Sequence, residues 1–332
     1  KVPITESVPK PLLPIGRLPL VSYALKLLAF HGITDVLMNL HHLGDSIRDA
    51  LGDGQKFGVR LRYSSEDEIL GTGGGLKRVH EKLLCTTVVV NGDTLCDVDL
   101  FAALQAHRRS GALATMVLRP DDSAADYGQI EVDARDRIVR ILGQGDTAAP
   151  TRSYMYTGVQ IIEPRFLEYL PPAVHTCIIR QGYLKALQHQ EILQGFISRD
   201  TWADAGTPER YLQVNLDALA QRLKMRYCDP LAGYAMEPRR EVAEVVRLGQ
   251  DTQLGSTTML HPPVLLGDEV RVGERTVVGP GVILGDRVQV GKDAQLRATI
   301  VLEGARIDAG AQLDGMLVGK RASLALKAAP KS

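Results

Sequence analysis

Apolar positions along this chain follow two different periods. Through the first two thirds, helical spacing alternates with short apolar runs. Residues 18–31 (LPLVSYALKLLAFH) put Leu18, Val21, Leu25 and Leu28 on one helical face. DVLMNL (35–40) and VRLRY (59–63) read as strands. LGTGGGLKRVHEKL (70–83) reads as a glycine-rich loop running into a helix, and TTVVVNGD (86–93) as a β-branched strand closed by a turn. This βαβα order predicts a parallel sheet with helices on both faces. Between residues 110 and 170 strand character dominates (ALATMVLRP, YGQIEVD, RIVRIL, YTGVQII), which predicts an antiparallel extension placed to cover a ligand. GTPERYLQVNLDALAQRL (206–223) is helical, with Thr207 suited to the N-cap and Pro208 to the first helical position.

Near residue 250 the period becomes six. Gly267, Gly273, Gly279, Gly285 and Gly291 keep strict register, each preceded by an aliphatic residue: Leu266, Val272, Val278, Leu284 and Val290. Leu296 continues the series where Arg297 replaces the glycine. A second small or aliphatic position follows three residues after each glycine, at Val270, Thr276, Val282, Val288 and Ala294. The phase slips near 300 and returns at Ile307 and Leu313. A six-residue repeat of this kind predicts a β-helix whose strands turn at glycine and whose aliphatics fill the axis. The plain alternative is a series of hairpins with glycine turns, which does not demand a common register. The expected organisation is an α/β domain over 1–225, a linker over 226–250, the β-helix over 251–322 and a tail over 323–332.

Composition narrows the partners. Lys plus Arg and Asp plus Glu balance at 39 each, so no net field draws the chain to nucleic acid or an anionic membrane. No apolar run approaches the ~20 residues of a membrane span. Cys85, Cys96, Cys177 and Cys228 form no CxxC pair, which suits reduced thiols in a cytoplasmic protein.

Four stretches carry candidate chemistry. Lys10 lies in a proline-stiffened segment, KVPITESVPKPLLPIG, and would present a fixed ammonium to a phosphate; its alternative is a plain exposed lysine. The glycines of LGTGGG expose backbone N–H groups ahead of a helix, for a phosphate or a flat base, or merely make a flexible turn. Asp93, after Asn91-Gly92 at the end of an apolar run, suits Mg²⁺ held by one or two carboxylates plus substrate phosphate. Asn-Gly also signals a hairpin. Asp97 and Asp99 are neighbouring rivals, expected to face solvent or cap a helix. Asp204, in WADAGTPERY, is a second carboxylate for the same metal or a local turn residue.

PKPLLPIG, LGTGGG, NGD and W-x-D-x-GTPERY, in this order and joined to a hexapeptide tail, resemble the sugar-1-phosphate nucleotidylyltransferases, nearest the mannose-1-phosphate guanylyltransferase-like branch. The resemblance covers nearly the whole chain. It implies a Rossmann-like doubly wound mixed sheet of the nucleotidyltransferase type, then a left-handed parallel β-helix. It implies that Lys10 contacts phosphate and that Asp93 and Asp204 bind catalytic Mg²⁺. It places the nucleotide at Leu70, Gly71, Thr72, Gly73, Gly74, Asn91 and Gly92, and the sugar at Tyr127, Gly128, Thr157 and Gly158. The substrates implied are a nucleoside triphosphate, GTP foremost, and a sugar-1-phosphate, mannose-1-phosphate foremost. UTP or dTTP with glucose-1-phosphate or another sugar is the alternative pairing. A homo-oligomer through or beside the β-helix is expected, because an open coil end exposes strand edges.

Two departures qualify that reading. In the family a first strand and a loop of the type GxGTRLRPLT precede PKPLLPIG. Here VPIT (2–5) matches the end of that motif, and the expectation is that the strand, glycines and arginine belong ahead of Lys1. The family's Glu-Lys-Pro after RIVRIL is replaced by Gly143-Gln144-Gly145, which removes a sugar-hydroxyl and a phosphate contact. Arg140 or Arg152 are the nearby cations that would have to substitute. These losses favour a rival class, a weakly active or inactive nucleotide-sugar-binding regulator. A third class, acyl transfer by the β-helix, lacks a suitable histidine, since His261 stands at its very start.

Overall fold

The computed structural model describes residues 8–121, 129–146, 151–171, 174–236 and 245–325. Tyr127 and Gly128 lie outside the described residues. The chain divides into two compact units, each assembled from separated segments: Lys1–Tyr23 with Asp93–Leu95 and Ala203–Ser332, and Ala24–Gly92 with Cys96–Trp202.

The second of these units holds a mixed sheet. Its strands run in the order Gln144–Gly145, Ile138–Ile141, Ile130–Val132, Arg152–Ile162, Ala114–Arg119 and Leu193–Ile197, with Thr87–Val90 also paired to Arg152–Ile162. Parallel pairing joins Leu193–Ile197 to Ala114–Arg119 and, separately, Asp35–Leu40 to Arg60–Ser65. The long Arg152–Ile162 strand runs antiparallel to its neighbours on both sides. The sheet is thus mixed, as expected, with the parallel pairs of the βαβα order joined by antiparallel ones. The antiparallel extension read over 110–170 reaches into the sheet's centre rather than lying beside it. Met116, Leu118, Ile130, Val132, Phe166 and Tyr183 form the buried core.

Helices α1 (Leu20–Phe30), α2 (Gly44–Leu51), α3 (Gly71–Arg78), α4 (Leu100–Ser110), α5 (Leu184–Gln188) and α6 (Pro208–Leu219) follow in chain order. Val21, Leu25 and Leu28 are buried on α1 as their spacing requires. Leu18 instead joins a two-residue strand, Leu18–Pro19, paired with Pro14–Ile15. Asp99 caps α4 by accepting from Ala102 N at 2.9 Å. Asp97, expected at the surface or in a cap, is buried at 7 % exposure. Asn91-Gly92 does not close a hairpin, because Thr94–Cys96 leaves the strand before it and pairs with Trp202–Asp204.

The hexapeptide register becomes three stacked parallel sheets. Val264 lies beside Val282, Val272 beside Val290 and Val278 beside Leu296, so one coil takes eighteen residues. Beyond Leu296 the offset drops by one residue, with Ile283 beside Ile300 and Leu296 beside Leu313. The phase slip is thus a single residue missing from the corner between Leu296 and Ile300. The repeat aliphatics and the second positions at Val270, Thr276, Val282, Val288 and Ala294 are buried. One sheet is closed at each end by an antiparallel strand, Ala235–Met236 and Ser323–Ala325. Such caps cover edges that would otherwise invite pairing. Leu265, Ile283, Ile300 and Leu317 share a core with Leu13, Ile15 and Leu20 and with Tyr211, Val214 and Ala218 of α6. The strand-turn repeat is therefore continuous with the packing that holds the segment after Lys10.

Candidate active site

Pro9, Pro11 and Pro14 prevent a long helix here and leave a short 3₁₀ turn, Lys10–Leu12. Leu12 N donates to Pro9 O at 2.8 Å and Leu13 N to Lys10 O at 3.1 Å. This turn carries Lys10 Nζ to 2.5 Å from Asp93 Oδ2. Both side chains remain partly open, at 31 % and 41 % exposure. Ala205 N donates to Asp93 O at 3.4 Å, so the backbone next to Asp204 runs beside Asp93. Lys10, Asp93 and Asp204 all fall in the unit that contains the β-helix.

Asp204 is held from two sides. Its Oδ1 accepts from Gly206 N at 2.6 Å and its Oδ2 from Arg210 at 2.5 Å. A Cβ on Gly206 would come within 2.7 Å of Asp204 Oδ1, which explains the glycine. Thr207 caps α6 by accepting from Arg210 N at 3.3 Å, as the GTPERY pattern predicts. The cap places Arg210 in the first turn of α6, facing back toward Asp204. Arg210 was not singled out from the sequence. Its signal is a base in the first turn of a helix that starts directly after Asp-x-Gly.

Asp93 and Asp204 supply the oxygen donors that a hard divalent cation takes, and each is paired here with a basic side chain that such a cation would have to displace. Mg²⁺ needs only one or two protein carboxylates when substrate phosphate and water complete its shell. Among the described residues no group of three or more His, Cys, Asp or Glu is placed to hold a metal.

LGTGGG is helical rather than a loop. Gly71 has φ +68°, which a side chain rarely adopts, and opens α3. Gly73, Gly74 and Gly75 are buried inside the helix. A Cβ on Gly73 would meet Thr176 Cγ2 at 2.7 Å, and one on Gly74 would meet Val174 O at 2.6 Å. Gly73 N donates to Thr176 O, and Thr176 N to Leu70 O. Glu66, buried, accepts from Leu70 N and from Asn39 Nδ2. The glycines therefore allow a close backbone approach, and the Gly73 N–H already has a protein acceptor. Thr72 lies in the first turn, beside Gly71.

Asn91 and Gly158 meet in the same unit. Asn91 N donates to Gly158 O at 3.0 Å, and a Cβ on Gly158 would lie 2.7 Å from Asn91 Nδ2. Gly158 has φ +86° and sits where the register of Arg152–Ile162 shifts. Thr157 Oγ1 is committed to Val117 O at 2.8 Å, and Thr157 O accepts from Trp202 Nε1 at 2.8 Å. Gly92 follows Asn91 at the carboxyl end of Thr87–Val90.

Gly143-Gln144-Gly145 forms a tight hairpin end, with Gln144 opposite Ile141 and exposed. Arg140 donates to Glu131 Oε2 at 2.7 Å and to Asp146 O at 2.8 Å. Arg152 donates to Asp136 Oδ1 and Asp133 O. Both candidate substitutes for the missing lysine are thus engaged in local contacts.

Residues 2–221 match the family model described as "Nucleotidyl transferase", and residues 260–328 match the "GMPPB C-terminal domain". A UTP–glucose-1-phosphate uridylyltransferase of Synechocystis sp. is 30% identical over 236 residues, 67% of this chain and 61% of that protein. A mannose-1-phosphate guanylyltransferase of Mycobacterium tuberculosis is 30% identical over 217 residues, 65% of this chain and 60% of that protein. The match thus spans about three fifths of the length of these curated relatives. Among solved structures, a putative glucose-1-phosphate thymidylyltransferase from Bacillus anthracis superposes with a TM-score of 0.57 at 24% identity, covering 69% of this chain and 92% of that one. That likeness establishes the Rossmann-like α/β fold. With the family model spanning the α/β residues and the second model the strand repeat, the chain belongs to the sugar-1-phosphate nucleotidyltransferase family.

Proposed function

We propose that the protein transfers a nucleotidyl group from a nucleoside triphosphate to a sugar-1-phosphate, releasing pyrophosphate and an NDP-sugar. The observation that carries this reading is the convergence of Lys10 on Asp93, 83 positions away, with the Asp204 backbone alongside. A sugar phosphate oxygen attacks the α-phosphorus in line with the leaving pyrophosphate. That oxygen is already ionised at neutral pH, so no residue has to remove a proton. The protein's task is positioning and neutralisation of charge.

Asp93 and Asp204 are the residues assigned to hold Mg²⁺. Held there, a divalent cation would supply positive charge that lowers the repulsion between the reacting phosphates. Lys10 is assigned to the equatorial charge of the reacting phosphorus. Arg210 holds the Asp204 carboxylate in a fixed direction. Leu70, Gly71, Thr72, Gly73, Gly74, Asn91 and Gly92 are assigned to the nucleotide, and Thr157 and Gly158 to the sugar. At Thr157 the assignment rests on the backbone, because the side chain is turned into the sheet.

GTP and mannose-1-phosphate are the favoured substrates, supported by the LGTGG stretch and by relatives named as mannose-1-phosphate guanylyltransferases. A uridylyltransferase relative keeps UTP with glucose-1-phosphate as the competing pair. A cytoplasmic setting and a homo-oligomer complete the reading. Among the described residues no helix is long and apolar enough to cross a membrane.

A second reading, nucleotide-sugar binding without turnover, is favoured by the uncharged Gly143-Gln144-Gly145 hairpin. A charge-assisted contact of the kind lost there is worth about 1.5–3 kcal/mol. Pyrophosphate release by the wild type separates the two readings, and Asp93→Asn then tests the metal assignment. Under the catalytic one, the variant stays folded by circular dichroism and loses turnover; a folded variant that retains turnover sinks the metal assignment.

A further inference from the structure

We infer that the bidentate contact between Arg17 and Asp268 is a positioning device, through which the β-helix sets the placement of the Lys10 turn. The role of Lys10 on phosphate rests on the function proposed above; the mechanical tether does not.

The tether is built from residues 9–19. Pro14–Ile15 and Leu18–Pro19 pair antiparallel, leaving Gly16 and Arg17 at the tip. Gly16 has φ +58°, and a Cβ there would fall 1.7 Å from Pro230 O, so no side chain fits. Tyr211 OH donates to Pro14 O at 2.6 Å and Tyr23 OH to Ile15 O at 2.7 Å. Each hydroxyl fixes one point of the short strand. From the tip, Arg17 donates to Asp268 Oδ2 at 2.7 Å and to Oδ1 at 2.8 Å. It also donates to Gly233 O at 3.1 Å and lies 4.1 Å from the centre of the Tyr234 ring.

Asp268 is anchored in its turn. It follows the repeat glycine Gly267 at a coil corner. Its Oδ1 accepts from Gln250 N at 2.7 Å, and its own N–H donates to Asp286 Oδ1 at 2.9 Å. The residue is thereby tied through its carboxylate to the coil before it and through its backbone N–H to the coil after it. Only six residues separate Arg17 from Lys10, and three prolines stiffen the stretch from Pro9 to Pro14.

Apolar burial alone would not give this precision. Leu13, Ile15 and Leu20 pack with Leu265, Ile283 and Ile300, but burial is non-directional. A guanidinium–carboxylate fork fixes orientation as well as distance. Asp268 touches no substrate in this scheme. It acts through Arg17 on the turn that carries Lys10, 2.5 Å from Asp93.

The test uses the full-length protein with Arg17→Lys and Asp268→Asn, each of which keeps the side-chain volume while breaking the fork. Amide hydrogen exchange is read at Leu12 and Leu13, whose N–H groups close the Lys10 turn. Exchange there is expected to quicken about ten-fold or more in both variants, and the double variant to match the singles. With sugar-1-phosphate substrates, kcat is expected to fall about ten-fold with KM changed less than two-fold. Asp293→Asn, which breaks the exposed Arg275–Asp293 pair elsewhere on the β-helix, serves as the control and should move neither reading. Unchanged exchange at Leu12 and Leu13 in either folded variant overturns the tether. So does an equal quickening in Asp293→Asn. If the wild type turns over no substrate pair, the functional reading fails while the exchange result still decides the tether.

Discussion

Lys10 Nζ sits 2.5 Å from Asp93 Oδ2, though the two residues lie 83 positions apart. The pair is partly open to solvent, and exposed ion pairs of this kind contribute about 0–1 kcal/mol to stability. Removing one donor that stabilises transition-state charge, as in an oxyanion hole, costs far more, about 2.7–4 kcal/mol, and that scale is taken for Lys10. Under the proposed function the pair therefore matters more to turnover than to folding. Lys10→Gln is therefore expected to lower kcat by about a hundred-fold or more while shifting stability by less than ~1 kcal/mol. Steady-state kinetics beside a urea titration measure both. A large stability loss with near-normal kcat would reverse the assignment.

Gly74 gives a prediction that runs against helix propensity. In the interior of an ordinary helix, Gly→Ala stabilises by up to about 1 kcal/mol. Here the new Cβ would lie 2.6 Å from Val174 O and 2.8 Å from Leu70 Cβ. Overpacking of that kind costs about 1–3 kcal/mol. Gly74→Ala should lower the thermal midpoint, and a raised midpoint would mean that the 174–178 segment does not press on α3.

The fork on Asp268 predicts an acid-sensitive contribution to stability. Hydrogen bonds from Arg17 are the main cause, and they hold the carboxyl at about 2, against an ordinary 3.8. A depressed carboxyl stabilises the folded state fully above its unfolded value and loses that contribution as pH falls through the folded one. The window is therefore about pH 4 down to 2. Solvent reaches the pair, so the contribution is about 1–2 kcal/mol rather than the full value of the shift. Urea midpoints followed downward through this window should fall more steeply for the wild type than for Asp268→Asn. Parallel curves would contradict the account.

These effects divide by what a sequence can carry. The β-helix was legible because its six-residue register repeats one local rule, and the buried aliphatics obey it from Leu266 to Leu296. The Thr207 cap was legible for the same reason, since its signal lies within one turn of chain. LGTGGG was misread as a loop because glycine is a poor helix former, and only the approach of Thr176 and Val174 explains why it is helical there. The mixed sheet was legible in outline, but strand patterns do not encode neighbours, and the central place of Arg152–Ile162 between antiparallel partners could not be read from them. Arg210 on Asp204 had a local signal in the first turn after Asp-x-Gly, but Arg17 on Asp268 could not be read from spacing. Arg17 and Asp268 stand 251 positions apart, and no local pattern joins them.

The most direct measurement is pyrophosphate release by the full-length protein with Mg²⁺, crossing GTP, UTP, dTTP, CTP and ATP with a panel of sugar-1-phosphates. Release with one pair, GTP and mannose-1-phosphate first among them, is the predicted result. It would also mean that Gly143-Gln144-Gly145 is compatible with turnover. No release from any pair, by a protein that still binds a nucleotide-sugar, would contradict nucleotidyl transfer and leave a binding protein in its place.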